Sequence, residues 1–164
     1  MKNRAVLLFA ITIASAGCYR HEMFKGQPAS MSNECNIGFY NVENLFDTLD
    51  NPNVNDEDFT PTGKYQWNAA RYQKKLVDLA TVIDSLPGAL PDVMGLCEIE
   101  NISVLQDLIH TSPLNKVDYE IIHKDSPDER GIDVALLVNN LVFEVINMEW
   151  IELSLPSKED PYTR

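Results

Sequence analysis

The chain has few basic residues for its length. It carries 13 lysines and arginines against 25 aspartates and glutamates, so its formal net charge is −12 at pH 7 over 164 residues. A broad positive surface of the kind that long nucleic acids require is therefore not expected. The apolar share of 45% and the charged share of 23% are typical of a folded soluble protein with one domain.

Long hydrophobic segments are also missing, and beyond the N-terminus no stretch is apolar enough to cross a membrane. The N-terminus itself has the composition of a secretory signal, because basic residues precede a short apolar run, 5–13. The small residues 14–17 then lead directly to Cys18, as at a bacterial lipoprotein cleavage site. Ser15 stands where such sites usually carry leucine, so ordinary signal-peptide cleavage remains an alternative.

These features predict three segments: a signal peptide at 1–17, a flexible polar tether at 18–34 and a folded domain at 35–164. They also predict export. The mature protein is expected either at a cell membrane, held by a lipid anchor on Cys18, or free in the periplasm or outside the cell.

Cysteine is scarce, with three residues in the chain. If Cys18 carries lipid, Cys35 and Cys97 remain, and a pair in an exported protein favours a disulfide. Cys35 precedes the first predicted strand, however, and Cys97 ends the next one. If those strands are parallel, the two cysteines lie roughly 20 Å apart, far beyond the ~7 Å Cα limit for a bridge. We therefore predict that both are unpaired, with Cys97 a small core residue.

Hydrophobic periodicity predicts alternating strands and helices in the first part of the domain. A short apolar strand at 36–40 is followed by a helical pattern at 67–85, which Pro87 and Gly88 end, and by a second strand at 92–97. This β-α-β order predicts two parallel neighbouring strands joined by a crossover helix.

The remaining pattern predicts a second helix of about ten residues from Asn101 and then closely spaced, antiparallel strands. The expected inner face of this helix carries Leu105, Leu108 and Ile109, and the strands are expected at 119–122, 132–138 and 142–153. The Asp-, Asn- and Pro-rich segment 47–63 predicts a long exposed loop.

Acidic and amide side chains follow both strands of the predicted parallel pair. Asn41 and Glu43 follow the first strand, and Glu98 and Glu100 follow the second. Because parallel strands end at the same edge of a sheet, we expect these side chains to lie close together. Their oxygens suit Mg²⁺. The alternative is that they are solvated strand-end acids, with Asn41 satisfying local backbone and Glu100 favoured by the dipole of the next helix.

Three segments together resemble the endonuclease/exonuclease/phosphatase superfamily: FYNVENLFD at 39–47, PDVMGLCEIEN at 91–101 and ERGIDVALLV at 129–138. The resemblance covers about residues 36–164. It implies a two-sheet α/β sandwich of the deoxyribonuclease-I-like type and hydrolysis of phosphoesters that depends on Mg²⁺, with Mn²⁺ as an alternative ion.

Residue roles follow from the same resemblance. Asn41 matches the asparagine that orients the phosphate, and Glu98 matches the metal-binding glutamate. Glu43 falls where some members place a second carboxylate near the ion. Cys97 departs from the family pattern, which usually has glutamine before the metal-binding glutamate.

The resemblance also indicates what the chain lacks. The family's catalytic histidine, its supporting aspartate and its Asp-x-Asn motif belong to the second half of the domain. We therefore expect this chain to be the N-terminal half, inactive alone and completed by a missing C-terminal half. The expected substrate is a phosphoester, either nucleic acid or a small or lipid phosphodiester. The alternative is a membrane-anchored, non-catalytic binding protein with the same fold.

Two further residues have local interpretations. His123, at a predicted strand end, is interpreted as a surface or edge histidine. Arg130 either contacts substrate phosphate or pairs with Asp128 or Glu129, and the pairing is favoured.

Overall fold

The computed structural model describes residues 6–14 and 35–153, and of residues 6–14 and 152–153 it describes only the backbone. Six strands and two α-helices make up this part of the chain. In chain order they are β1 Val6–Ala14, β2 Ile37–Leu45, α1 Ala69–Asp84, β3 Val93–Ile99, α2 Ile102–His110, β4 Tyr119–His123, β5 Asp133–Asn139 and β6 Glu144–Leu153. In these ranges no helix is long and apolar enough to cross a membrane.

A four-stranded sheet with the order β2-β3-β5-β4 forms the centre of the domain. β2 and β3 run parallel, and Asn41 lies beside Cys97 in their register. β5 is antiparallel to both β3 and β4. The α/β class, the parallel pair with its crossover helix and the antiparallel later strands are therefore confirmed.

Both helices pack on one face of this sheet through the apolar stripe that their sequences predict. α1 begins after Asn68, whose side chain accepts a hydrogen bond from the Arg71 amide, and α2 begins after Asn101, which caps it in the same way. The buried side chains of the two helices are Tyr72, Leu76, Leu79, Ala80, Ile83, Val104, Leu105 and Leu108. They meet Met94, Leu96, Ala135 and Leu137 from the sheet.

The opposite face of the sheet is apolar and open along β2. Ile37 is 74% exposed and Phe39 is 73% exposed. The Phe39 ring lies over Gly95 of β3, where an added Cβ would meet the ring at 2.6 Å. Soluble proteins rarely leave such an apolar surface on an edge strand exposed to solvent.

The strand β2 extends further than the sequence predicts. β2 does not end at Asn41 but continues to Leu45, which pairs with Ile99 after an irregular stretch. Glu43 and Asn44 adopt the left-handed backbone conformation, with φ of 53° and 64°. These two residues interrupt the alternation of side chains along the strand. The sequence pattern therefore did not predict that β2 continues beyond Asn41.

The segment 47–63 is a loop, as predicted, but it is not exposed throughout. It contains a short 3₁₀ helix, Glu57–Phe59. The Phe59 ring stacks on Phe46 with centroids 4.2 Å apart, and Asp56 is buried. The prediction of an exposed loop was wrong in this respect, because one aromatic contact fixes the loop against the core.

The structure corrects the prediction for one cysteine. Cys35 is disulfide-bonded, whereas Cys97 is a free, half-buried thiol. The bridge therefore does not join these two residues, in agreement with their separation along the parallel strands. The prediction that Cys35 is unpaired was wrong, since it considered only Cys97 as its partner.

The remaining strands form a separate two-stranded sheet in which β1 is antiparallel to β6. β1 lies within residues 1–17, and the removal of this segment as a signal peptide stays a prediction. The predicted tether at 18–34, with Cys18, lies outside the described residues.

Candidate functional site

The parallel pair brings Asn41 and Glu98 into contact at the carboxyl ends of β2 and β3. The Asn41 side-chain amide (Nδ2) donates a hydrogen bond of 3.1 Å to Oε1 of Glu98. The sequence predicted this proximity from topology alone, because the two residues end neighbouring parallel strands. This edge therefore presents a carboxylate, which is a hard oxygen ligand, beside an amide N–H donor.

Glu98 sits on an irregular, strained backbone. The register between β3 and β5 shifts at Glu98, between Cys97 and Ile99, and the φ angle of Glu98 is 65°. A non-glycine residue in this region costs about 1–3 kcal/mol, and bulges of this type are frequent beside active sites, where they redirect a side chain. Here the residue at the irregularity, Glu98, carries the carboxylate that Asn41 contacts.

Glu43 joins the site through its main chain. Its amide donates a 2.7 Å hydrogen bond to Oδ1 of Asn41, and its carbonyl accepts a 3.0 Å hydrogen bond from Nζ of Lys75. The amide contact orients the Asn41 side chain, so that its nitrogen faces Glu98. The Glu43 side chain is exposed, and its charge acts on Lys75.

Lys75 is a cation of the site that the sequence interpretation missed. It projects from α1 and is half-buried, and burial lowers its pKa, an effect that the charges of Glu43 and Glu98 oppose. Its position three residues after Tyr72 and four before Leu79 puts it beside the buried stripe of the helix. That spacing was the available signal, and it distinguishes Lys75 from the exposed Lys74.

Glu100 lies apart from Asn41 and Glu98, beneath the loop that follows β2. Only 8% of the residue is exposed, and its Oε2 accepts a 2.6 Å hydrogen bond from the Asp47 amide. Burial raises the pKa of Glu100 to about 7, and the nearby charges of Asp47 and Asp56 act in the same direction. Glu100 is therefore a buried structural carboxylate that precedes the helix cap Asn101.

His123 is an edge histidine, as expected, because it ends the edge strand β4, but it is not a surface histidine. Its side chain is only 5% exposed, and its Nε2 is 3.0 Å from Oδ2 of Asp133. Oδ1 of Asp125 lies 4.0 Å from the other ring nitrogen. Ligand atoms of these three residues lie within 4.8 Å of one another and could hold a metal ion. As it stands, the arrangement is a buried hydrogen-bonded pair.

Arg130 makes the pairing that the sequence favoured. Its Nε and Nη2 are each 3.1 Å from a carboxylate oxygen of Asp128, which forms a bidentate pair. The pKa of Arg130 is raised first by this pair and further by the charge of Glu98. Arg130 therefore belongs to the surroundings of the Asn41–Glu98 pair.

Comparison with known protein families agrees with this geometry. A model of the endonuclease/exonuclease/phosphatase family matches residues 36–164. The chain therefore belongs to this family. Searches of curated proteins and of solved structures found no match.

Family members are generally hydrolases and typically depend on a divalent metal ion. The Glu98 carboxylate fits such an ion, because carboxylate oxygens are ligands that hard divalent cations prefer, whereas the Asn41 amide oxygen is engaged by the Glu43 main chain. The His123 group has a nitrogen donor and would suit a softer ion.

Proposed function

We propose that this chain forms part of a Mg²⁺-dependent phosphoester hydrolase of the phosphodiesterase or nuclease type. The observation that carries the proposal is the hydrogen bond between Asn41 and Glu98 at the carboxyl edge of the parallel strands. Glu98 is the proposed metal ligand and Glu43 a second carboxylate near the ion, which is Mg²⁺ or Mn²⁺. When bound, such an ion offsets the negative charge that develops on the phosphoryl group.

The chain's own residues have distinct proposed tasks. Asn41 orients the phosphate through its side-chain amide, whose position is set by the Glu43 main chain. Lys75 supplies positive charge from the helix side of the site. Together they would fix the substrate before the attack of water, and fixed orientation is a large part of catalysis in phosphoryl transfer.

The proposed substrate is a phosphodiester, either nucleic acid or a small or lipid phosphodiester. The net charge of −12 favours the small or lipid class over long duplex DNA, since a broad negative surface repels a polyanion. A local cation is sufficient for a small substrate.

We further propose that a C-terminal half of the same domain completes the site and supplies the catalytic base. The exposed Ile37 and Phe39 support this, because they form an apolar sheet face of the kind that another layer covers. The two histidines of the described residues are engaged elsewhere: His110 contacts the Gln106 carbonyl, and His123 contacts Asp133.

The test compares residues 1–164 with the product of the complete reading frame. Both are assayed with bis-p-nitrophenyl phosphate, first after treatment with EDTA and then after Mg²⁺ is restored. We expect turnover by the longer protein that EDTA removes and Mg²⁺ restores, and none by residues 1–164. Turnover by residues 1–164 would contradict the half-domain proposal. Inactivity of the longer protein on every phosphodiester tried would instead support an anchored binding protein.

A further inference from the structure

The loop 124–132 is held from within by a series of hydrogen bonds that starts at a buried carboxylate. Asp133 binds the ring of His123 through Oδ2 and accepts a 2.7 Å hydrogen bond from the Ser126 amide through Oδ1. The Ser126 hydroxyl donates to the carbonyl of Ile132 at 3.0 Å. The two ends of the loop are therefore fastened to each other.

The same series continues to Arg130. The Ser126 hydroxyl oxygen accepts a 3.2 Å hydrogen bond from the Asp128 amide. Asp128 in turn accepts three hydrogen bonds from Arg130, one from its main-chain amide at 2.8 Å and two from its guanidinium. The orientation of the guanidinium is thus fixed through Asp128 and Ser126 by Asp133.

A second loop supports the first. The Asn55 amide donates a 2.8 Å hydrogen bond to the carbonyl of Glu129. Gly131 has a φ of 66°, and a Cβ there would meet the Val54 side chain at 2.8 Å, so the two loops are in close contact. Arg130 is therefore held on a docked loop although it extends to the surface.

The strand register puts this arginine at the edge where Asn41 and Glu98 meet. Asp133, three residues after Arg130, pairs with Ile99, the residue after Glu98. The charge of Glu98 acts on Arg130 and also on Lys75, which extends from α1. Two cations from different elements thus lie near one carboxylate.

We propose that Arg130 binds the phosphate group of the substrate beside Glu98 and that Asp128 is its positioning residue. This inference rests on the proposed function of the Asn41–Glu98 site. A guanidinium has five N–H donors. Asp128 engages Nε and Nη2, whereas Nη1 donates no hydrogen bond to the described residues. One N–H of Nη1 and the second N–H of Nη2 form the edge of the guanidinium that faces away from Asp128, and this pair of donors suits two oxygens of one phosphate group.

The existing ion pair does not oppose this role. Arg130 and Asp128 are both partly exposed, and such pairs contribute only ~0–1 kcal/mol to stability. Asp128 holds one edge of the guanidinium and leaves the other for the ligand. This arrangement reduces the rotamer entropy that a long side chain loses on binding.

The test measures the binding of inorganic phosphate to residues 1–164 by ³¹P NMR titration, in EDTA and again with Mg²⁺. Arg130→Ala is compared with the parent and with Lys124→Ala, which makes the same charge change at the start of the same loop. We expect Arg130→Ala to raise the phosphate Kd about tenfold or more under both conditions, and Lys124→Ala to change it less than twofold. Arg130→Lys should fall between, since lysine keeps the charge but not the forked geometry.

Two controls keep this inference separate from the proposed function. The Mg²⁺ affinity of Arg130→Ala should be no lower than that of the parent, because the substitution removes a cation near Glu98. Its thermal unfolding midpoint should show that it is folded, and if it does not, Arg130→Lys decides. A phosphate Kd that Arg130 substitutions leave within twofold, or no phosphate binding by the parent, would overturn the inference. Loss of phosphate binding in EDTA supports it even where Mg²⁺-dependent turnover is absent.

Discussion

At the scale of single residues, two nearby glutamates have opposite surroundings. Glu98 is half-exposed and hydrogen-bonded to Asn41 at the sheet edge, whereas Glu100 is buried against the main chain of Asp47. Glutamine has nearly the same shape as glutamate in both places but no charge. Glutamine at each of the two positions therefore tests whether the carboxylate there is needed for its charge, as in a metal ligand, or only for its hydrogen bond to a loop.

We predict that Glu98→Gln in the complete protein lowers the hydrolysis rate at least ~10²-fold at saturating Mg²⁺, because a direct ligand of the ion is lost. A loss of this size corresponds to about 3 kcal/mol of transition-state stabilisation, since ~1.4 kcal/mol changes the rate tenfold. Glu100→Gln should stay within about threefold of the parent, since the glutamine oxygen can still accept the Asp47 amide hydrogen bond. Steady-state rates of both variants provide the measurement. Equal losses, or a larger loss at Glu100, would contradict the assignment of Glu98.

The raised pKa of Glu100 predicts a pH dependence of stability. Its pKa is 4.5 in ordinary surroundings and about 7 in the folded chain, so between these values the folded state holds a proton that the unfolded state has lost. The contribution of this group is complete below pH ~4.5 and is lost as the pH rises through ~7, which amounts to at most roughly 3 kcal/mol.

Urea unfolding at pH 5 and pH 8 measures this effect. The parent should lose more unfolding free energy over this interval than Glu100→Gln, which has no carboxyl group to titrate at this position. Glu120→Gln, on the exposed surface of β4, is the matched control and should follow the parent. If Glu100→Gln shows the same pH slope as the parent, the burial of this carboxylate has no energetic consequence.

At the scale of elements, the contact between the loops 47–63 and 124–132 is the feature that supports Arg130. Gly131→Ala should destabilise the fold by at least about 1 kcal/mol, because alanine disfavours a left-handed φ and its Cβ would strike Val54. Adding Val54→Ala relieves the collision but not the backbone strain, so the double variant should recover only part of the loss. Denaturant unfolding of the three proteins checks this, and an unchanged stability of Gly131→Ala would refute the contact.

The elements that the sequence predicted well are those with a strong period and a clear end. α1 and α2 differ from the predicted helices by only a few residues, since asparagine caps and apolar stripes define them. The second half of β2 was missed because left-handed residues at Glu43 and Asn44 break the alternation. No local pattern signals such an interruption.

The candidate site divides in the same way. Topology predicted that Asn41 and Glu98 would meet, because parallel neighbours end together. The pair formed by His123 and Asp133, the burial of Glu100 and the disulfide of Cys35 depend on contacts outside the local pattern. A single sequence gives the chemistry of such side chains but not the partner that each one finds.

At the scale of the whole molecule, the attachment of the protein follows from its N-terminus. We predict that the mature protein is held on a membrane by lipid on Cys18, so Cys18→Ala should move it to the soluble fraction. Because the chain has three cysteines and Cys97 is free, a lipid thioether on Cys18 and the disulfide of Cys35 within one chain exclude each other. Membrane fractionation and mass spectrometry of the N-terminal peptide test this. A variant that still sediments with membranes as the parent does would refute lipid anchoring.

At Glu98, the residue that would best stabilise the backbone and the residue that the proposed chemistry needs are different. Glycine or asparagine would occupy a φ of 65° at lower cost than glutamate, and either would thereby tend to make the domain more stable. Neither supplies the carboxylate. A search for stabilising substitutions that ignored activity would therefore favour replacing the residue that the proposed chemistry needs most. The domain keeps its carboxylate at the expense of its own robustness, which is the familiar compromise between durability and catalysis in enzymes.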